Sequence, residues 1–98
     1  MSYILYFQTS AYHDLKDAFD YFEGLETGRG VLFTEAIDEM VERLEDNPLL
    51  FQKVHKEKRR AITRKYDYHI IYQVDESLIR VTAVVYASRN PRRWQNKK

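Results

Sequence analysis

RRAITRKYDYHIIYQVDESLIRVTAVVY, residues 59–86, holds three runs of β-branched and aromatic residues separated by polar turn chemistry. RRAITRKY, YHIIYQV and LIRVTAVVY each have the composition of a strand, and Asp75-Glu76-Ser77 joins the last two as a hairpin. Alternation in the last strand puts Ile79, Val81, Ala83 and Val85 on one face and Arg80, Thr82, Val84 and Tyr86 on the other. One face must pack; the other is half polar.

The residues upstream supply the packing layer. Ala11, Leu15, Ala18, Phe19 and Phe22 recur with the 3.6-residue period of a helix, while Asp14, Lys16, Asp17, Asp20 and Glu23 fill the remaining positions. Thr9 or Ser10 can cap this helix, which should stop near Gly24. Glu26-Thr27-Gly28-Arg29-Gly30 has turn composition, after which Phe33, Ala36, Ile37, Met40, Val41 and Leu44 repeat the stripe until Asn47-Pro48 ends it. SYILYFQ at the start is short, aromatic and without helical period, and reads as a first strand. The order β, α, α, β, β, β predicts an α+β fold, with an N-terminal strand and a helical hairpin packed on one face of a mostly antiparallel sheet. The 98 residues are expected to form one domain, 1–98.

Composition removes several function classes. With no cysteine, neither a disulfide framework nor a thiolate zinc site can form, and His13, His55 and His69 are too scattered for a metal cage. The carboxylates concentrate on the helices, away from the basic residues, so no metal or other cofactor is expected. No apolar run approaches the roughly 20 residues that cross a bilayer, and MSYILYFQTS lacks the features of a secretion signal. The expected location is the cytoplasm.

The net charge of +1 conceals a strong asymmetry. Residues 1–50 carry 11 Asp and Glu against Lys16, Arg29 and Arg43, a balance of −8; residues 51–98 carry 13 Lys and Arg against Glu57, Asp67, Asp75 and Glu76, a balance of +9. Clustered like charge disfavours the compact state and is relieved when counter-charge binds, which points to a polyanion or an acidic partner. Mutual neutralisation of the halves is the structural alternative. The densest stretch is KVHKEKRR, residues 53–60, with Lys58 and Arg60, followed by Arg64 and Lys65. Guanidinium forks suit phosphate or carboxylate. Basic residues also guard sheet edges, but Ile62 between Arg60 and Arg64 on one alternating face fits edge protection poorly.

Proton-transfer candidates are strand-borne His69, loop His55 and Tyr86, with the arginines able to stabilise charge on a phosphorane-like transition state. A strand-end tyrosine is as readily a packing residue. The chain then continues through Arg89, Pro91, Arg92 and Arg93 to its one tryptophan, Trp94. An aromatic among guanidinium groups either pins this segment to the domain or anchors a partner.

The helical hairpin, RRAITRKYDYHIIYQVDE with its Tyr66, Tyr68, Ile70, Tyr72, Val74 alternation, and the closing YASRNPRRW together resemble the RelE/ParE superfamily of toxins from type II toxin–antitoxin modules, often called plasmid stabilisation proteins. The resemblance spans nearly the whole chain. It implies a growth-inhibiting toxin held inactive by a cognate antitoxin with an acidic amphipathic tail. RelE-like members are ribosome-dependent, metal-independent mRNA endoribonucleases that use basic side chains and a group near the C-terminus; ParE-like members inhibit DNA gyrase without that catalytic set. Arg60, Arg64 and Arg89 fall where the ribonucleases carry basic residues. Ile62 stands in place of a second such residue, His69 replaces a strand arginine, and Trp94 or Gln95 occupies the place of a terminal catalytic tyrosine.

The ending RNPRRW is similar to the ParE-like branch, and the resemblance therefore implies a gyrase inhibitor acting by binding, not an enzyme. Lys58, Arg60, Arg64, Arg89, Arg92, Arg93 and Trp94 are the expected target- or antitoxin-binding residues. Under the ribonuclease alternative the candidates are His55, Arg60, Arg64, Tyr86 and Arg89. An RNA-binding or scaffold domain without toxicity is the alternative of another class.

Overall fold

Strand β4 (Tyr68–Asp75) and strand β5 (Leu78–Tyr86) form the antiparallel hairpin anticipated around Asp75-Glu76-Ser77, and the remaining elements are arranged around it in a computed structural model that describes residues 3–87. β3 (Lys58–Ile62) pairs antiparallel with β4, and β2 (Lys53–His55) with β3. β1 (Ile4–Phe7) lies parallel to β5 on the other side, giving the order β1-β5-β4-β3-β2. The parallel pair is possible because α1 (Thr9–Leu25) and α2 (Arg29–Asp46) lie between β1 and the rest of the sheet in sequence, a connection long enough for a crossover. The fold is α+β, as expected.

Three details depart from the sequence reading. KVHKEKRR is not one basic run but a hairpin, with His55 inside β2 and the turn at Lys56-Glu57, where Lys56 takes a positive φ of 52°. A three-residue strand is too short to show a period, so the pattern could not reveal it. β3 ends at Ile62, and Arg64 therefore sits in the β3–β4 turn, not on an alternating face. Neither Thr9 nor Ser10 caps α1: Gln8 is the N-cap residue, without a side-chain cap bond, and the Ser10 hydroxyl donates instead to the Thr82 carbonyl at 3.1 Å.

The helices cover one face of the sheet. Ala11 and Ala18 of α1 and Phe33, Ile37, Met40 and Leu44 of α2 are buried against Ala61, Ile70, Tyr72, Ile79, Val81 and Val84. Phe22 stacks on Phe33 at 5.0 Å, and Tyr68 meets Phe33 edge-on at 5.0 Å, the offset and T-shaped geometries that ring quadrupoles favour. Tyr72 is fully buried, and its hydroxyl donates to the Pro48 carbonyl at 2.6 Å. Burial pushes that hydroxyl's pKa up to about 12, with Arg59 opposing.

The hairpin of helices is fastened by Glu23 near the end of α1. Its carboxylate accepts from the backbone N–H of Gly28 at 2.9 Å and of Gly30 at 3.0 Å, satisfying donors that the start of α2 leaves without helical partners. Gly28 takes φ 94°, a conformation costly for any residue with a Cβ. Gly30 is needed for a different reason, since a Cβ there would meet the Phe19 ring at 2.7 Å.

A β-bulge in β5 alters which residues share a face. Ile71 pairs with Ala83 but Tyr72 pairs with Val81, leaving Thr82 as the extra residue, its hydroxyl donating to the Ile71 carbonyl at 3.3 Å. Ile79, Val81 and Val84 therefore point to the helices, while Ala83 and Val85 join Ile71 on the opposite face. The expected grouping of Ile79, Val81, Ala83 and Val85 breaks at Thr82, because one inserted residue shifts a period of two to the other face.

Candidate functional site

Ala61 points into the helix-covered core, so its neighbours Arg60 and Ile62 project from the opposite, helix-free face, as does Lys58. β4 contributes His69, which pairs with Ile62, and Ile71, which pairs with Arg60. Ile71, Ala83, Val85 and half-buried Val54 form a small apolar cluster beside them. Arg60 is half-buried and Ile62 is 47% exposed, an unusual placement for isoleucine on a strand.

Among the cations of residues 53–60, structure separates those with local tasks from those facing outward. Arg59 reaches back to the Leu49 carbonyl at 3.2 Å and the Phe51 carbonyl at 2.6 Å, fixing the connection from α2 to β2. Lys53 pairs with Glu57 at 2.9 Å, and that contact lowers the Glu57 pKa. Lys58 is buried at 7% exposure and is engaged within the domain. Arg60 is thus the basic side chain that β3 presents beside the exposed Ile62.

His69 lies diagonally across from Arg60. Burial lowers its pKa below the usual imidazole value, and the Arg60 charge lowers it further, with Asp67 opposing. A neutral imidazole beside a guanidinium can donate and accept hydrogen bonds while the guanidinium holds an anion. With Ile62, the group suits a partner that presents an anion next to an apolar surface.

The other expected site residues are not all brought here. Tyr86 pairs with Tyr68, their rings 5.6 Å apart, and so lies on the helix side of the sheet, across from Arg60 and His69. Arg64 is exposed in the β3–β4 turn, and His55 is half-buried in β2 and has partners within the domain. Arg89, Arg92, Arg93, Trp94 and Gln95 lie outside the described residues. Among the described residues no three His, Cys, Asp or Glu side chains converge as a metal site, and no helix is long and apolar enough to cross a membrane.

Two residues that the sequence reading assigned only to a solvated helix face have specific tasks. Glu23 holds the start of α2, and Asp14 accepts from the backbone N–H of Val84 at 3.0 Å, past the point where β1 ends its pairing with β5 at Val81. Acidic residues opposite an apolar stripe look alike in sequence, and neither contact had a sequence signal.

Residues 5–91 match the family model described as the ParE toxin of the type II toxin–antitoxin system, parDE. Among solved structures, one described as the chromosomal ParDE toxin–antitoxin system from P. aeruginosa is similar with TM-score 0.75 and 15% identity, over 89% of this chain and 98% of that one. A mutant of the E. coli toxin RelE in the free state is similar with TM-score 0.60 and 18% identity, over 90% of this chain and 86% of that one. At these identities the structural likeness is one of fold. No curated protein sequence matches the chain.

Proposed function

Because the chain belongs to the ParE toxin family of type II toxin–antitoxin systems, we propose that it inhibits an essential bacterial process by binding, with DNA gyrase as the target, and that a cognate antitoxin neutralises it. The observation that carries this reading is the division of its candidate proton-transfer groups between sheet faces. Tyr86 stands on the helix side, Arg60 and His69 on the other, and Ile62 takes an exposed position between the basic neighbours on β3. General acid–base cleavage needs an acid and a base within hydrogen-bond reach of one phosphodiester, whereas a cation beside an exposed aliphatic side chain suits an interface. Arg60, Ile62 and His69 are the central contacts in this reading, with Arg64 at the rim.

The pairing of Arg60 with a neutral-leaning His69 favours a second reading, a ribosome-dependent mRNA endoribonuclease in which His69 accepts a proton and Arg60 holds the phosphate. Induction in a susceptible bacterium, with plasmid supercoiling and mRNA integrity followed together, separates the two. The binding reading expects relaxed plasmid with intact mRNA; early codon-spaced cuts that disappear in His69→Ala would replace it with the second. Unimpaired growth at confirmed soluble expression would contradict both.

A further inference from the structure

The largest cleft belongs to neither reading. It measures about 730 Å³ and opens between α1 and the ends of β4 and β5, on the side of the sheet away from Arg60. Asp14, Asp17 and Asp67 supply carboxylates, and Tyr21, Tyr66 and Tyr86 supply rings; no Lys, Arg or His is among its described lining residues. Tyr21 is 61% exposed and Tyr86 43%, so aromatic faces are open to a ligand. Carboxylates among open rings suit a guanidinium or ammonium group, through charge-assisted hydrogen bonds and cation–π contact.

We propose that this cleft is a cation-binding groove whose occupant is the chain's own C-terminal segment, residues 88–98. The segment starts at the rim, because Tyr86 lines the cleft and the Ala87 N–H donates to the Asp67 carbonyl at 2.8 Å. Its sequence, SRNPRRWQNKK, carries Arg89, Arg92, Arg93, Lys97 and Lys98, no Asp or Glu, and the single tryptophan. Eleven residues reach up to roughly 35 Å when extended, ample to fold back over the groove. The competing seat is the helix-free face, where the apolar cluster of Ile71, Ala83 and Val85 lies, but Arg60 and Lys58 there repel a segment with five cations. Charge therefore selects the acidic cleft. Such docking brings part of the basic excess of the second half onto the acidic α1 and does not depend on which target the toxin reaches.

Trp94 is the only tryptophan, so its fluorescence reports the segment's position in the full-length protein. The wild type should show blue-shifted emission and protection from acrylamide relative to the urea-unfolded chain, with protection falling as NaCl rises. Asp17→Lys and Tyr21→Ser, each folded by circular dichroism, should lose that protection; Asp17→Asn serves where the lysine variant does not fold. Ile62→Asp on the opposite face should leave it unchanged. The proposal is overturned if wild-type Trp94 is as accessible as in urea, or if the cleft variants leave protection intact. Loss only in Ile62→Asp would place the segment on the other face and also overturn it. Protection that depends on protein concentration would assign the groove to a second copy's segment.

Discussion

On the helix-covered face of the sheet, Ile70, Tyr72, Ile79 and Val81 are fully buried under two helices; on the other face, Arg60 and His69 are half-buried and Ile62 stands in solvent. Both faces come from the same strands, one residue apart. The covered face answers to packing, where a lost ring leaves a cavity, and its cost appears in stability. The uncovered face answers to a partner, and its side chains should be replaceable with little change in folding. A sequence change that moves binding and stability together belongs to the first face; one that moves binding alone belongs to the second.

The largest effect should come from Phe33→Ala, which removes a fully buried ring touching Phe22, Tyr66 and Tyr68. We expect a loss of about 3–5 kcal/mol in a urea titration, enough to threaten the fold. Glu23→Ala should cost about 1–2 kcal/mol, as removal of a helix cap does, and amide exchange at Gly28 and Gly30 should accelerate first. An unchanged exchange pattern would show that the helical hairpin is held by its apolar faces alone.

Tyr72→Phe should cost about 1 kcal/mol, the ordinary net value of a hydrogen bond, since it leaves the Pro48 carbonyl without its donor. Its hydroxyl also sharpens the contrast between faces under alkali. The folded pKa of about 12 exceeds the unfolded value near 10, so above pH 10 the unfolded chain releases its proton first. Stability contributed by that group is complete below pH 10 and is lost as pH rises toward 12. Thermal melts of wild type and Tyr72→Phe should therefore converge across that window.

On the uncovered face the expected stability effects are smaller. The folded pKa of His69 is lowered, so as pH falls through the ordinary imidazole range the unfolded chain takes up its proton first and stability declines. His69→Gln should flatten the acid side of the melting profile near pH 6. Arg60→Ala should change stability by no more than about 0.5 kcal/mol, the range for a surface position away from the core. A larger loss would mean that the guanidinium is part of the packing.

Periodicity made the two helices and the β4–β5 hairpin legible, because Phe33, Ile37, Met40 and Leu44 repeat a helical stripe and Tyr68, Ile70 and Tyr72 alternate. The placement of Tyr86 was not legible. Strict alternation puts it with Arg80, but the extra residue Thr82 turns it to the helix side beside Tyr68. That bulge depends on a buried hydroxyl bonding Ile71 and on Ser10 of α1 bonding Thr82, contacts 11 and 72 residues apart in sequence. Basic composition likewise marked residues 53–60 without telling Arg59, which holds carbonyls within the chain, from Arg60, which faces outward. Composition counts charges; the pairing register decides which of them reach a partner.

The most direct test is a supercoiling assay with purified gyrase, comparing wild type and Arg60→Ala at equal, confirmed folding. The wild type should inhibit supercoiling, and the variant should need about tenfold more protein for the same inhibition, equivalent to about 1.4 kcal/mol at an interface centre. Absence of inhibition by the wild type, together with mRNA cleavage in a purified translation reaction, would contradict the gyrase-binding reading.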